Sequence, residues 1–349
     1  MTGSEVKEAS SMKVTVRGRV NIPGPEDIVI DHAAGVAYVS SEQRRSASGK
    51  VVSPGRDGTI FALDLNSEPL APRPLADEES LGFPFHPHGM SLFSGPEGGH
   101  RLLVINHRGG SDHAVETFDV VGDRLIHAGT VHDREHLINP NDLVALDGER
   151  FYVTNFGGAT NAILLALEAG AALPWSTVVF HDGRDFHTVA GRIELANGIA
   201  LDHTRGRLYV AATRTKRIYD YAWSAADPAR ELTDPVTIEL PGYPDNLEWD
   251  EDGDLWVGAD PSSLKLTLYF AAPRLMPRAP SLVLRLRFDG AARPRVETVF
   301  HDDTGDLISA SSVAVVHGRG AIRRLLIGAP VDDHLLDCEL TETKSPAAT

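Results

Sequence analysis

The stretch Phe151-Tyr-Val-Thr-Asn155 is a short run of aromatic and β-branched residues that ends in a small polar residue. Five other stretches repeat this pattern: Val36-Ala-Tyr-Val-Ser40, Leu102-Leu-Val-Ile-Asn106, Leu208-Tyr-Val-Ala-Ala212, Leu255-Trp-Val-Gly-Ala259 and Leu325-Leu-Ile-Gly-Ala329. Such runs are typical of β-strands. The equivalent residues Val39, Val104, Val153, Val210, Val257 and Ile327 are 65, 49, 57, 47 and 70 positions apart. Each interval exceeds the roughly 40–45 residues of a compact propeller blade. Six repeats therefore predict an all-β fold, a six-bladed β-propeller with four-stranded blades around a central channel.

The domain organisation follows from the spread of turn residues. The chain contains 32 Gly and 22 Pro, and no Gly/Ser-rich or Pro-rich linker divides it. We therefore expect a single propeller domain over residues 20–340, with flexible segments at 1–19 and 341–349. The one long stretch with a helical pattern is 161–170, and Pro174 is expected to end that helix.

The charge balance excludes several classes of partner. The 349 residues include 33 Lys+Arg and 49 Asp+Glu, which gives a formal net charge of −16. Nucleic acids and anionic membrane surfaces are bound through clustered basic residues, so neither is expected as a partner. Cys338 is the single cysteine, which excludes an internal disulfide and a Cys-rich zinc site. We find no signal peptide and no apolar run of about 18 residues, so we expect a cytoplasmic protein without a membrane anchor.

A second repeated feature, a polar pair that opens an apolar run, is in phase with the first. The pairs stand 12 to 16 residues before the repeated Val or Ile and are Glu26-Asp27, His88-Gly89, Asn141-Asp142, Asn197-Gly198, Asp245-Asn246 and Ser311-Ser312. The inner strand of each blade lines the channel of a propeller, so equivalent positions converge on the axis. Asn and Asp also begin strands because they suit turns, but repeated pairs in phase favour a shared site.

The residues of these pairs are rich in oxygen, which is the ligand atom that calcium prefers. The predicted ligands of a first Ca²⁺ are Glu26, Asn141, Asn197, Asp245 and Asn246. Neighbouring residues of a strand point to opposite sides, so Asp27 and Asp142 are expected to face a second position along the channel. There they would bind a second, more enclosed Ca²⁺, together with a backbone carbonyl such as that of Met90.

The same stretches also indicate a family. In order over residues 20 to 340, the chain resembles the serum paraoxonase/arylesterase family in Pro25-Glu-Asp27, Pro87-His-Gly-Met-Ser91, Leu103-Val-Ile-Asn-His107, Ala196-Asn-Gly-Ile199 and Gly253-Asp-Leu-Trp-Val-Gly258. The resemblance implies a six-bladed propeller with one catalytic and one structural calcium. It also implies an enzyme that hydrolyses lactones and aryl esters, with phosphotriester hydrolysis as a side activity.

The resemblance further implies roles for individual residues. The calcium would polarise the carbonyl of a small-molecule lactone or ester. His88 would be the general base that activates water, and His107 would orient it. A calcium-bound carboxylate, Glu26 or Asp245, is the alternative base. Residues expected near the substrate are Asn106, Asn141, Asn197 and Phe156.

The chain also departs from the family pattern. Its N-terminal segment is polar, so no lipoprotein attachment is expected, and the disulfide partner of Cys338 is missing. Closure of the propeller must then come from pairing of the terminal strands. Phe156-Gly157 stands where the family has Asp-His, which alters the pocket wall. The apolar segment 162–173 falls at the family's lid helix, with core packing as the other interpretation.

Two other functions remain open from the sequence. One is hydrolysis of sugar lactones or organophosphates by a related propeller enzyme. The other is a propeller that binds a ligand without catalysis. The absence of a G-x-S-x-G motif favours metal-assisted attack over a covalent serine route.

Overall fold

The computed structural model describes residues 11–45, 51–95, 99–290 and 293–343. These residues form six four-stranded antiparallel sheets. The inner strand of each sheet contacts the inner strands of its two neighbours, and the contacts close into a ring. The fold is therefore the predicted six-bladed β-propeller.

Strand β1 (Ser11–Val20) belongs to the last blade, and the others follow chain order. Blade 1 contains β2 (Pro25–Asp31), β3 (Val36–Arg45), β4 (Val51–Asp64) and β5 (Arg73–Asp77), and is followed by helix α1 (Glu78–Leu81). Blade 2 contains β6 (Pro87–Ser94), β7 (His100–Gly109), β8 (Asp112–Val121) and β9 (Arg124–His132). Blade 3 contains β10 (Pro140–Ala145), β11 (Phe151–Asn155), helix α2 (Ala162–Ala171), β12 (Ser176–His181) and β13 (Phe186–Ile193).

The second half of the chain repeats this plan. Blade 4 contains β14 (Ala196–Asp202), β15 (Arg207–Ala212), a short 3₁₀ helix (Thr213–Thr215), β16 (Arg217–Ala222) and β17 (Val236–Glu239). Blade 5 contains β18 (Tyr243–Trp249), β19 (Leu255–Asp260), helix α3 (Ser263–Ala271), β20 (Ser281–Arg287) and β21 (Arg295–Asp302). Blade 6 contains β22 (Val313–His317), β23 (Ile322–Gly328), β24 (Leu335–Thr343) and β1.

The register explains why the two repeats of the sequence are in phase. The repeated runs form the second strand of each blade, and their Val or Ile residues are fully buried. In five blades this residue pairs with the one directly after the polar pair: Ile28 with Val39, Met90 with Val104, Leu143 with Val153, Ile199 with Val210 and Leu247 with Val257. The polar pairs therefore lie at one end of the inner strands.

The hydrophobic core is divided among the gaps between blades. Six clusters of buried apolar residues each draw their members from two neighbouring blades. In the gap between blades 3 and 4, for example, Tyr152 and Phe180 pack with Leu208. Burial of large side chains is worth about 1.5–3 kcal/mol each, so these clusters hold adjacent blades in fixed positions around the channel.

The two ends of the described chain pair to close the ring. β1 runs antiparallel to β24 from the pair Ser11–Thr343 to the pair Val20–Leu335. Residues 11–19 and 341–343, which we expected to be flexible, are therefore strand residues, while 1–10 and 344–349 lie outside the described residues. Cys338 is fully buried and pairs with Val16 and Leu325. Closure by strand pairing is confirmed.

Helix α2 lies where the sequence predicts a helix, at the end of the propeller that carries the polar pairs. The Asn161 side chain caps it by accepting from Leu164 N at 2.9 Å. Ile163 and Leu167 are 83% and 53% exposed, which rules out core packing for this face. Glu168 is buried and accepts hydrogen bonds from the backbone of Gly158 and Ala159, so the helix is fixed to the loop that follows β11.

Candidate metal centre and active site

Bulges at the start of the inner strands shape the site. The register of five inner strands shifts at the polar pair, between Pro25 and Asp27 in β2 and at the equivalent places in β6, β10, β14 and β18. A bulge leaves a residue unpaired and redirects its side chain. The backbone is therefore not a regular strand at the pairs, and the expectation that Asp27 and Asp142 face a second position along the channel stays a prediction.

The second residue of the pair is glycine in blades 2 and 4 and polar in the other four blades. A Cβ at Gly89 would overlap the Asn141 carbonyl and lie 2.6 Å from the Cα of Asp142. A Cβ at Gly198 would overlap the carbonyl of Asp245 in the same way. These glycines allow neighbouring inner strands to approach closely, so that the side chains of the next blade reach across them.

Asp27 and Asp142 connect neighbouring blades by accepting hydrogen bonds from the residues that follow these glycines. Asp27 accepts hydrogen bonds from Ile28 N at 2.8 Å and from Met90 N in the next blade at 2.6 Å. Asp142 accepts from the backbone N–H of Leu143 at 2.7 Å and from that of Ile199 in the next blade at 2.8 Å. Met90 thus contacts Asp27 through its backbone N–H. Binding of the second Ca²⁺ by the Met90 carbonyl stays a prediction.

The predicted first calcium site contains oxygens that lack protein partners. These buried atoms are Glu26 Oε2, Asn141 Oδ1, Asn197 Oδ1 and Asn246 Oδ1. Leaving a buried polar group unpaired costs about 1–3 kcal/mol, so four such atoms at one place need an explanation. Asp245 joins this group through a hydrogen bond with Asn197. The donor set consists of carboxylate and amide oxygens, which suits Ca²⁺.

The carboxylates of the site are destabilised as anions by burial. Burial raises the pKa of Glu26 to about 6 and that of Asp27 to about 8. Burial followed by the charge of a neighbouring carboxylate also raises the pKa of Asp142 and Asp245 well above the usual range. A bound cation would compensate this cluster, because an opposite charge favours the ionised form.

His88 lies between the oxygens and an arginine. Its Nε2 atom is 3.3 Å from Asn141 Nδ2 and 3.7 Å from Glu26 Oε1, and its Nδ1 atom is 2.8 Å from Arg44 Nη2. Burial, followed by the Arg44 charge, lowers the pKa of His88 well below its ordinary value. The ring is therefore neutral near pH 7.

His107 lies next to His88 as expected, but it belongs to a row of three rings. The His88 and His107 rings meet edge to face with their centroids 4.9 Å apart. The Nδ1 atom of His107 is 2.9 Å from Nδ1 of His113. Burial, followed by the charge of His113, lowers the pKa of His107 to about 3.

Glu42, Arg44 and His86 form a group that we did not identify from the sequence. Glu42 is 2% exposed, and its carboxylate contacts Arg44 Nε at 2.9 Å and His86 Nδ1 at 2.7 Å. Burial alone would raise the pKa of Glu42, but the His86 hydrogen bond and the Arg44 charge outweigh it and lower that pKa. The available signal was the polar sequence 41–45, which extends β3 past the repeated run.

Two further predicted site residues have different surroundings. Asn106 is fully buried; its Oδ1 accepts from His86 N at 2.8 Å, and its Nδ2 donates to Pro84 O and Glu116 Oε1. It therefore fixes the loop that carries His86. Phe156 is half-buried and begins the loop before α2, where its N–H donates to Asn139 O at 2.8 Å. Substrate contact by either residue stays a prediction.

The fold and the site together define a propeller with an oxygen-lined centre at the start of its inner strands. The sequence matches the arylesterase family over residues 26–340, so the chain belongs to the arylesterase family, and it is an ester-hydrolysing enzyme. It is 33% identical to serum paraoxonase/arylesterase 2 of Gallus gallus and to serum paraoxonase/lactonase 3 of Homo sapiens. Each alignment covers 91% of this chain and 86% of the relative.

Solved structures share the fold at lower sequence identity. A luciferin-regenerating enzyme has a TM-score of 0.57 at 12% identity, with 95% of each chain covered. The calcium-binding protein regucalcin from Agrobacterium tumefaciens has a TM-score of 0.55 at 14% identity, with 95% of this chain and 97% of that chain covered. Among the described residues, no helix is long and apolar enough to cross a membrane.

Proposed function

We propose that the enzyme is a calcium-dependent hydrolase that opens lactones and cleaves aryl esters. The observation that carries this proposal is the group of four buried oxygens without partners at the start of the inner strands. The activities named for the relatives, arylesterase and lactonase, support the substrate class. Promiscuous hydrolysis of phosphotriesters is part of the same proposal.

The proposal assigns two calcium ions. Glu26, Asn141, Asn197, Asp245 and Asn246 would hold the catalytic ion. Asp27, Asp142 and the carbonyl of Met90 would hold the structural ion. The two ions would offset the four carboxylates, whose raised pKa values reflect the cost of burying charge without compensation.

The chemistry requires an electrophilic carbonyl and a base. When bound, the catalytic calcium would polarise the carbonyl and stabilise the oxyanion that forms on it. The water loses its proton to the base as it adds to the carbonyl carbon. The ring C–O bond then breaks, its oxygen takes the proton back from the base, and the product is a hydroxy acid.

His88 was our first expectation for this base, but its contact with Arg44 favours the alternative. A guanidinium can only donate, so Nδ1 of His88 accepts the hydrogen bond from Arg44. A neutral ring then carries its proton on Nε2, which faces Glu26 Oε1 at 3.7 Å; Asn141 Nδ2, a donor 3.3 Å away, makes no hydrogen bond to Nε2 in this tautomer. We propose that Glu26 accepts the proton from water and that His88, positioned by Arg44 and His107, donates a hydrogen bond from Nε2 to the substrate.

His88→Gln separates the two bases. If His88 is the base, kcat/KM should fall by about 10²–10⁴, the usual contribution of general base catalysis. If Glu26 is the base, the loss should stay near tenfold, and the acidic limb of the pH–rate profile should not move. Calcium binding by calorimetry is the control, because both interpretations require it unchanged.

The experiment that tests the function is hydrolysis of phenyl acetate and of a panel of γ- and δ-lactones, with calcium and with a chelator. Turnover that the chelator abolishes and calcium restores supports the proposal. Sugar lactones and an aryl phosphotriester belong in the panel, since a preference for either would favour the related hydrolase function. No turnover of any substrate by calcium-loaded protein would favour ligand binding without catalysis.

A further inference from the structure

A second candidate metal site lies at the opposite end of the inner strands. His32 follows β2 in blade 1, Glu251 lies in the turn after β18 in blade 5, and His317 ends β22 in blade 6. One ligand atom from each of these residues lies within 4.8 Å of the other two. The three blades are consecutive around the ring and include blade 6, where β1 and β24 join the ends of the chain.

Two of the three ligand separations match those around a tetrahedral transition metal, and the third, between His317 and Glu251, is within 4.8 Å. His32 Nδ1 is 3.4 Å from His317 Nδ1 and 3.6 Å from Glu251 Oε2. Zinc binds imidazole nitrogen and carboxylate oxygen at about 2.0–2.2 Å, so two ligands of a tetrahedral ion are separated by about 3.3–3.6 Å. At 3.4 Å the two nitrogens are also farther apart than in an ordinary hydrogen bond, whose limit is about 3.2 Å.

Neighbouring groups fix the Glu251 side chain and the turn that carries His32. Gly318 N donates to Glu251 Oε2 at 3.1 Å, and Arg319 Nε lies 3.4 Å from Glu251 Oε1. Such contacts orient a carboxylate ligand. The turn that carries His32 is fixed by Asp31, which accepts from Ala34 N at 3.0 Å.

The site is open enough to exchange metal with solvent. The side chains of His32 and Glu251 are 28% and 22% exposed, and His317 is half-buried. Three protein ligands leave one position of a tetrahedral ion for water. The set contains two nitrogens and one oxygen, which suits zinc and other borderline metals, whereas calcium prefers an all-oxygen set.

We propose that His32, Glu251 and His317 bind one transition-metal ion such as Zn²⁺, and that this ion links blades 5, 6 and 1. A ligand bound only by the folded state stabilises that state. The metal would therefore strengthen the part of the ring where the chain closes. This site is independent of the calcium centre and of the proposed hydrolysis.

The test is titration of the calcium-saturated protein with ZnCl₂, followed by calorimetry and thermal unfolding. We expect one strong zinc site per chain and a melting temperature that rises with zinc. His32→Gln and Glu251→Gln should each weaken zinc binding by more than about tenfold, since even changes to groups that only orient ligands cost 10–100-fold. Both variants should keep calcium-dependent activity and the wild-type melting temperature without zinc.

His187→Gln is the matched control. His187 is 44% exposed and pairs with Asp182 at 2.9 Å on blade 3, so it offers zinc one histidine beside a carboxylate but no second histidine ligand in the described structure. Its zinc binding should equal that of the wild type. Co²⁺ in place of zinc should give the visible absorption of a tetrahedral centre, and the His32 variant should lose it. Two results would overturn the proposal. One is that both ligand variants keep the zinc affinity and the rise in melting temperature with zinc, and the other is that the wild type does not bind zinc strongly.

Discussion

The same inner strands form both ends of the channel, but the hydrogen bonding of the buried polar side chains differs between the two ends. Where the strands begin, five bulges redirect side chains, and four buried oxygens lack partners. Where they end, the carboxylate of Asp250 accepts from the backbone of Asp252 and Asp254 and from Trp256 Nε1. The cavity there, about 190 Å³, is lined mainly by apolar residues such as Val29, Leu201 and Val315.

The difference indicates where the fold gives up stability for function. Each unpaired buried oxygen costs about 1–3 kcal/mol, and the chain concentrates this cost at one end of the channel. At the opposite end the Asp250 carboxylate is satisfied within the protein, and the candidate metal site offers nitrogen as well as oxygen ligands. We therefore expect substitutions at the first end to affect calcium and catalysis, and those at the second end to affect stability alone.

Glu26→Gln should produce the largest effect. Gln keeps the shape of the side chain but removes one negative charge and, in our proposal, the base. We expect kcat/KM to fall by about 10²–10⁴, the usual contribution of general base catalysis. Calorimetry should show weaker calcium binding. Retention of both calcium affinity and activity would contradict the assignment of the site to this end.

Gly89→Ala tests the close approach of the inner strands. The new Cβ would overlap the Asn141 carbonyl and the backbone of Asp142. Overpacking costs about 1–3 kcal/mol, and here it should also lower calcium affinity. Gly99→Ala is the control, because a Cβ there has no neighbour within 4 Å among the described atoms. Equal stability of the two variants in urea would show that the strands tolerate wider spacing.

Arg44→Met tests the positioning of His88. It removes the hydrogen bond to Nδ1 while keeping the length of the side chain. We expect kcat to fall about tenfold, KM to change little, and the NMR signals of His88 to report a mixture of tautomers. Arg44→Lys should restore part of the activity, since an ammonium can also donate. An unchanged tautomer signal in Arg44→Met would remove Arg44 from the mechanism.

Arg44 also shows what the sequence could not predict. The six blades and the convergence of the polar pairs followed from two repeats that are in phase, because repeated spacing reflects repeated structure. Glu42 and Arg44 belong to no repeat, since they lie where β3 continues five residues past the repeated run, further than the second strand of any other blade. The bulges could not be predicted in the same way. Residue types indicate which side chains alternate along a strand, whereas a bulge is a change in the backbone pairing of two strands.

Trp249→Phe should have the smallest effect and tests the other end of the channel. Trp249 Nε1 is a buried donor without a hydrogen-bond partner, and the Trp249 side chain lines the cavity where the inner strands end. Phe removes the unpaired donor but also some packing against Tyr209 and Phe288. The two terms oppose each other, so we expect a change in unfolding free energy of less than about 1 kcal/mol.

Calcium affinity and kcat/KM should stay at the wild-type values in Trp249→Phe, because the indole lies at the end of β18 and the proposed calcium ligands Asp245 and Asn246 at its start. Urea unfolding, calorimetry and the phenyl acetate assay measure the three quantities. A loss of calcium binding larger than that of Gly89→Ala would mean that the two ends are coupled through the inner strands. The unpaired donor would then belong to the functional site, and the distinction between the two ends would fail.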